Sequence, residues 1–195
     1  MNTAQPDLSN APLRYDLISG FWGLYFKFIG VEYLHSEFVP TTGAAIIAPN
    51  HITNIDPFGV GQPTPRRVHF MAKQELFTNS LLRYYMLSGN AFPVDRGRMD
   101  LTAIKTALRI LQGGQLLVIF PQGTRGGTDA KGGASFLALK AKVPVIPVGI
   151  SLHPNWFSGR RFRFNFGAPI LPEGNVESHI TSVTDAIEAL RLAAV

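Results

Sequence analysis

Five short, largely apolar runs restrict most strongly how this 195-residue chain can fold, and most of them do not alternate with polar residues as half-exposed strands do. They span residues 44–48, 68–72, 91–94, 116–120 and 145–150. Continuous apolar runs of this length are typical of strands buried on both faces, as in parallel sheets covered by helices. Segments with helical spacing lie between and after the runs. The sequence therefore predicts an α/β fold with a mainly parallel sheet flanked by helices.

Two segments carry the clearest helical patterns. Apolar residues recur every three or four positions over residues 101–111, with Asp100 in the position of an N-cap and two glycines, 113 and 114, as a stop. The same spacing returns over residues 176–190 near the end of the chain. We expect a helix at each place.

The segment Arg161 to Phe166 alternates strictly between phenylalanine and polar or basic residues. Interleaved basic and aromatic residues occur in nucleic-acid interfaces, but an amphipathic strand explains the pattern without a ligand. A formal net charge of +5 with only 16% charged residues also favours a phosphate-bearing small molecule or an anionic membrane over nucleic acid. We predict a half-exposed strand near a sheet edge and no nucleic-acid partner.

The N-terminal segment is rich in aromatics from residue 17 to residue 31 but is interrupted by Lys27 and ends at Glu32. It falls short of the roughly 20 apolar residues that span a bilayer. Two interpretations stay open: a helix packed on the domain, or an amphipathic helix in the membrane interface. Because the chain start lacks a signal-peptide pattern, we expect a peripheral protein on the cytoplasmic side of the membrane.

No linker or internal repeat divides the chain, so we expect a single domain over residues 1–195. It would comprise an N-terminal helical segment, 1–36, and a core, 37–195. The absence of cysteine excludes disulfides, thiolate catalysis and cysteine-ligated metal sites. The histidines show no metal-ligand spacing, so we expect no metal.

His51 and Asp56 follow the first apolar run, at the place where parallel sheets present ligand-binding groups. One interpretation makes Asp56-Pro57 an N-cap followed by a first-turn proline, with no catalytic duty. The other folds the turn back so that the Asp56 carboxylate orients the imidazole, which then acts as a general base. The spacing alone leaves both open.

Two further strand ends carry arginine. Asp95-Arg96-Gly97 follows one run, where an arginine suits bidentate binding of phosphate. The stretch Phe120 to Gly127 follows another and places glycines beside Thr124 and Arg125, which suits an anion cradle. Each signal is weak alone, and a surface loop or a structural ion pair explains each equally well.

Taken in order, these motifs resemble the glycerolipid acyltransferase family, typified by 1-acyl-sn-glycerol-3-phosphate acyltransferase. The family's order is NHxxxxD, a strand ending in an aspartate-arginine pair, FPEGTR, and VPxxPV. The chain has them at residues 50–56, 92–96, 120–125 and 143–148, and the likeness covers about residues 40–170. The segment 71–77 also resembles the family's stretch between the first two motifs. The resemblance implies a glycerol-3-phosphate acyltransferase-like fold.

It also implies a reaction in phospholipid biosynthesis: transfer of a fatty acyl group from acyl-CoA or acyl carrier protein to the free hydroxyl of lysophosphatidate. His51 would be the base and Asp56 its support. Lys73, Arg96 and Arg125 would hold the acceptor's phosphate, and Gln122, Gly123 and Thr124 would form the loop facing developing negative charge. No cofactor is implied beyond the acyl thioester co-substrate, and the expected partners are a lysophospholipid and a membrane surface.

One position departs from the family pattern. Gln122 stands where FPEGTR has glutamate, which keeps the shape but removes the charge. Where that carboxylate pairs with a desolvated arginine, its loss costs on the order of 2 to 5 kcal/mol. Two alternatives therefore stand beside the main prediction: another lysolipid as acceptor, or a catalytically weak relative that binds lipid or acyl thioester.

Overall fold

In the computed structural model, seven strands form one sheet with helices on both faces. The structure describes residues 12–95, 100–121, 132–155 and 159–193. The helices and strands, in chain order, are α1 (Pro12–Phe28), β1 (Glu32–Leu34), β2 (Ala45–Pro49), α2 (Asp56–Gly61), β3 (Val68–Lys73), α3 (Ser80–Ser88), β4 (Ala91–Val94), α4 (Leu101–Gln112), β5 (Leu116–Val118), α5 (Gly133–Ala141), β6 (Val145–Asn155), β7 (Gly159–Phe166) and α6 (Val176–Leu192). The fold class predicted from the apolar runs is confirmed.

The strand order is β1-β7-β6-β2-β5-β3-β4. Strands β6, β2, β5, β3 and β4 run parallel, β7 is antiparallel to β6, and β1 is parallel to β7. The carboxyl ends of the five parallel strands therefore lie at one edge of the sheet, here called the carboxyl edge.

Each face of the sheet carries its own apolar core. Buried residues of α4, α5 and α6 pack against one face, together with strand residues such as Ile46 and Leu117. The other face packs β6 and β7 side chains, including Phe164 and Phe166, with Val60 of α2. The central strands have no polar face because both of their faces are buried, which explains the continuous apolar runs.

The predicted helices over 101–111 and 176–190 are confirmed. The Asp100 side chain caps α4 by accepting hydrogen bonds from the amides of Thr102 and Ala103, and Gly113 follows the last turn. Asn175 caps α6 through a capping box with Ser178.

The strand predicted around Arg161 to Phe166 is present, but the prediction of a half-exposed strand was only partly right. Residues 32–34, assigned from sequence to the N-terminal helical segment, form β1 and cover the outer edge of β7. Asn165, on the polar side of β7, is buried beside α6, and its side chain donates to the Leu190 carbonyl. Glu32 accepts hydrogen bonds from Arg163 and Arg161, which hold its pKa below the usual value.

Helix α1 packs against the domain, as one of the two interpretations predicted, while the membrane-interface interpretation stays a prediction. Tyr15 and Phe26 are buried against the domain, and the Tyr15 hydroxyl accepts a hydrogen bond from the Val68 amide. The opposite side of the same helix exposes a row of large apolar residues: Leu13, Leu17, Phe21, Leu24 and Phe28. Among the described helices, none combines the length and apolar character needed to cross a membrane.

We expect acid to destabilise the fold partly through His69 in β3. Its ring is buried, its Nδ1 has no hydrogen-bond partner among the described residues, and desolvation lowers its pKa from the ordinary 6.5. The His69 imidazole therefore binds a proton more readily in the unfolded chain than in the folded chain. The contribution of neutral His69 to the unfolding free energy is complete above the pKa of the unfolded chain. It is lost as the pH falls through about 6.5 toward the lower pKa of the folded chain.

Urea unfolding of the original chain and of His69→Gln at about pH 7.5 and about pH 5.5 measures this contribution. The variant should lose less unfolding free energy between the two pH values, because glutamine does not titrate. Equal losses would contradict the assignment.

Candidate active site

The residues singled out from sequence follow strands that end at the carboxyl edge. His51 comes two positions after β2, and Phe120 comes two positions after β5, which is the neighbour of β2 in the sheet. Lys73 is the last residue of β3, and Asp95 follows β4. The sheet topology thus carries these motifs to one side of the molecule.

His51 and Asp56 are in direct contact. The imidazole Nδ1 lies 2.9 Å from Oδ2 of Asp56. The Asp56 side chain is completely buried, whereas 18% of the His51 side-chain surface is exposed. The carboxylate therefore contacts the ring from inside the protein, and the ring reaches the surface.

Three further hydrogen bonds hold the Asp56 carboxylate. Oδ2 accepts from the Ile52 amide at 2.6 Å and the Thr53 amide at 2.8 Å, and Oδ1 accepts from the Thr53 hydroxyl at 2.6 Å. These donors compensate a buried carboxylate that would otherwise be costly to desolvate. They also fix the direction in which the carboxylate meets the ring.

The interpretation of Asp56 as a helix cap is wrong. Asp56 is the first residue of α2, Ile55 occupies the N-cap position, and no side chain caps the helix. The carboxylate points back to the 51–53 turn instead of toward the α2 amides. Pro57 does lie in the first turn, as predicted.

Asn50 anchors the backbone immediately before His51. Its buried side chain donates to the Ile150 carbonyl at 2.9 Å and accepts from the Ile150 amide at 2.5 Å. These bonds extend the β2–β6 pairing beyond Pro49, the last strand residue, and fix the place where the chain turns toward His51.

A phenylalanine flanks the imidazole. The ring centroids of His51 and Phe120 are 4.6 Å apart and their planes are tilted by 48°. Because the Asp56 carboxylate can only accept, His51 carries its neutral-form hydrogen on Nδ1. Nε2 then keeps a lone pair, so the arrangement is suited to taking a proton from a bound hydroxyl.

Of the three residues predicted to bind phosphate, Lys73 is the one that the structure describes. Lys73 pairs with Glu75 at 3.0 Å on the surface, and both side chains are at least half exposed. Hydrogen bonds from its own amide and from Lys73 lower the pKa of Glu75. Lys73 thus reaches the carboxyl edge with a carboxylate partner that a phosphate would have to displace.

The other predicted site residues, Arg96, Gln122, Gly123, Thr124 and Arg125, lie outside the described residues. Asp95 and Asp100, which flank residues 96–99, are in contact, since the Asp95 amide donates to the Asp100 carboxylate that caps α4. In the ranges that the structure describes, no group of three or more histidine or acidic residues is placed to hold a metal ion.

The sequence reasoning assigned no role to Asn50, Thr53 or Phe120, although all three act on the His51–Asp56 pair. Asn50 and Phe120 were noted only as members of sequence motifs. A threonine three positions before a buried aspartate was a usable signal, because such side chains hydrogen-bond locally in turns.

Residues 30–151, more than half of the chain, match the sequence profile of the family described as Acyltransferase. The chain belongs to the acyltransferase family. Family membership as predicted from the four motifs is therefore confirmed.

Relatives in this family carry a common name. The chain is 38% identical over 130 residues to a 1-acyl-sn-glycerol-3-phosphate acyltransferase of Streptococcus pneumoniae, covering 64% of this chain and 49% of that protein. It is 33% identical over 147 residues to the enzyme of that name from Bacillus subtilis, covering 72% and 74%. The mouse alpha enzyme of that name is 27% identical, covering 84% and 62%. The match thus spans about half of the pneumococcal protein and more of the other two.

A solved structure shares the fold. It is the 1-acyl-sn-glycerophosphate (LPA) acyltransferase PlsC from Thermotoga maritima, with a TM-score of 0.67 and 22% sequence identity. The alignment covers 91% of this chain and 79% of that one. At this identity, the likeness supports the architecture alone.

We expect Asn50→Ala to destabilise the fold at the site. It leaves the buried amide and carbonyl of Ile150 without the side chain that pairs them. The expected loss of unfolding free energy is on the order of 2 to 4 kcal/mol, measured by urea unfolding. The matched control is Asn54→Ala in the same turn, where the side chain is exposed. Equal small losses in the two variants would contradict the anchoring role.

Proposed function

We propose that this chain is an O-acyltransferase that moves a fatty acyl group from a thioester to the free hydroxyl of 1-acyl-glycerol-3-phosphate, giving phosphatidate. The donor is acyl-CoA or acyl carrier protein. The observation that carries the proposal is the oriented His51–Asp56 pair at the carboxyl edge. The names of several relatives support the choice of acceptor.

The reaction needs one base and no covalent intermediate on the protein. Nε2 of His51 takes the hydroxyl proton while the acceptor oxygen attacks the thioester carbonyl. The buried carboxylate of Asp56 stabilises the imidazolium that forms. The new C–O bond is completed as the C–S bond breaks, and the leaving thiolate takes the proton from His51. The base is then ready for the next cycle.

The remaining site residues are assigned to binding. Arg96 and Arg125 suit the acceptor's phosphate monoester because a guanidinium binds phosphate oxygens bidentately. Lys73 would join them by exchanging Glu75 for the phosphate. The backbone around Gly123 and Thr124 is proposed to face the developing oxyanion. Positioning two substrates against one base supplies several kcal/mol without further catalytic groups.

The glutamine at residue 122 favours a second candidate function. A weakly active relative that mainly binds lipid or acyl thioester would keep the fold and the His51–Asp56 geometry while lacking the family's charge at residue 122. A different lysolipid acceptor would use the same base but need fewer cationic contacts.

We further propose that α1 attaches the protein peripherally to the cytoplasmic side of a membrane. Its outward row of apolar side chains comprises Leu13, Leu17, Phe21, Leu24 and Phe28, and α3 also exposes Leu81 and Tyr84. The Arg14 guanidinium of α1 lies 5.0 Å from the Tyr84 ring centroid. Arg14, Lys27 and Arg83 are exposed on these two helices. Apolar side chains with flanking cations suit an anionic lipid surface.

Thioester consumption with lysophosphatidate in detergent micelles tests the reaction. His51→Ala should lose at least about a hundredfold in kcat while remaining folded, because the base is gone. Asn54→Ala serves as the folded control and should keep full turnover. An active original chain with an equally active His51→Ala would contradict the base assignment.

The same assay with Gln122→Glu separates the two candidates. A chain that turns over as it stands, with little gain in the variant, supports the enzyme. An inert chain that gains turnover in Gln122→Glu supports the binding relative, and inertness of both with lysophosphatidate removes this acceptor.

Vesicle co-sedimentation tests the membrane proposal. Phe21→Asp combined with Leu24→Asp should weaken partitioning to anionic vesicles by about tenfold or more, because two apolar contacts are lost and two like charges are added. Leu192→Asp is the control, since that exposed leucine lies on α6 at the other face of the sheet. Equal partitioning of both variants would show that α1 is not the attachment surface.

A further inference from the structure

Trp22 of α1 joins three helices through aromatic contacts. Its ring stacks on Phe58 of α2 with centroids 4.4 Å apart and planes 6° from parallel. Its indole N–H donates to the Tyr85 hydroxyl of α3 at 2.5 Å. Phe58 and Tyr85 are themselves 5.8 Å apart. One side chain of α1 therefore contacts α2 directly and is held in place by α3.

Helix α2 is too short to fix its own position. It contains six residues and has no side-chain N-cap. A helix of this length is marginal by itself, so its placement depends on what packs around it. Since Asp56 is its first residue and Phe58 comes two positions later, any shift of α2 moves the carboxylate that orients His51.

Two contacts confine α2. Gly59 lies so close to Phe164 of β7 that an added Cβ would sit 2.2 Å from the ring. At the neighbouring position, Trp22 stacks on Phe58, and Gly23 allows α1 to approach Gln62 directly after α2. Gln62 in turn donates to the Phe58 carbonyl at 3.3 Å. Helix α2 is thus held by α1 as well as by the sheet.

We infer that Trp22 is a positioning residue for the proposed base, holding the Asp56 end of α2 through its stack on Phe58. This inference rests on His51 acting as the base in the proposed reaction. The contacts described for Trp22 do not include His51 or Asp56. Its effect on the His51–Asp56 pair therefore passes through the placement of α2. Misplacement of a catalytic group by about 1 Å reduces turnover strongly while leaving substrate binding largely intact.

Steady-state kinetics of Trp22→Leu in detergent micelles tests the inference. The expected result is a roughly tenfold lower kcat with the KM for each substrate unchanged within about twofold. Trp22→Phe keeps an aromatic ring against Phe58 and should restore most of the turnover. Val183→Ala is a control for general destabilisation, because it removes buried contacts on the opposite face of the sheet. Its kcat should equal that of the original chain.

Amide hydrogen exchange gives a readout that does not need activity. The Ile52 and Thr53 amides donate to Asp56, so their exchange should accelerate at least about tenfold in Trp22→Leu and stay unchanged in Val183→Ala. If the original chain shows no acyl transfer, the proposed function fails, and this exchange still decides the role of Trp22.

A folded Trp22→Leu with unchanged kcat and unchanged exchange at both amides would overturn the inference. If Trp22→Leu does not fold, Tyr85→Phe replaces it, because it removes only the hydroxyl that holds the indole. Faster exchange of the Ile52 and Thr53 amides in Tyr85→Phe supports the inference, and exchange equal to that of the original chain overturns it.

Discussion

The site depends on the hydrogen bonds that the buried carboxylate of Asp56 accepts. A carboxylate without solvent exposure is tolerated only when hydrogen-bond donors surround it, and here the imidazole of His51, the Thr53 hydroxyl and two amides do so. These donors all belong to residues 51–53, so satisfying the carboxylate also determines the shape of the turn. The same bonds that stabilise a buried charge therefore orient the imidazole. Stability of the turn and orientation of the His51 ring have one physical origin.

The sheet supplies the place for that turn. Parallel strands bring the ends of β2 and β5 together, which sets His51 beside Phe120. Asn50 continues the pairing with β6 one residue beyond the strand, so the chain leaves the sheet at a fixed point. On the sheet face that carries α2, helix α1 packs its buried side against the domain and against α2. Its outward side stays apolar, so one helix links the proposed membrane surface with the proposed catalytic pair.

Sequence patterns predicted most of this architecture, for reasons that lie in particular residues. The five parallel strands were visible because burial leaves short, largely apolar runs, and α4 was visible from Asp100 and the glycines after it. Strand β1 was missed because three residues, Glu32–Leu34, carry no period of their own and pair only once β7 is present. The burial of Asn165 and the anchoring by Asn50 depend on partners 25 and 100 positions away in the chain. Whether Asp56 caps α2 or contacts His51 depended on the turn conformation, which spacing does not encode.

The central claim is that Asp56 holds the imidazole of His51 with hydrogen on Nδ1 and a lone pair on Nε2. Nitrogen-15 NMR of the His51 ring in the original chain, recorded where the side chain is neutral, tests it most directly. The account predicts a protonated Nδ1 whose hydrogen exchanges slowly, together with a bare Nε2. A ring protonated on Nε2, or one that interconverts rapidly between both neutral forms, would contradict it.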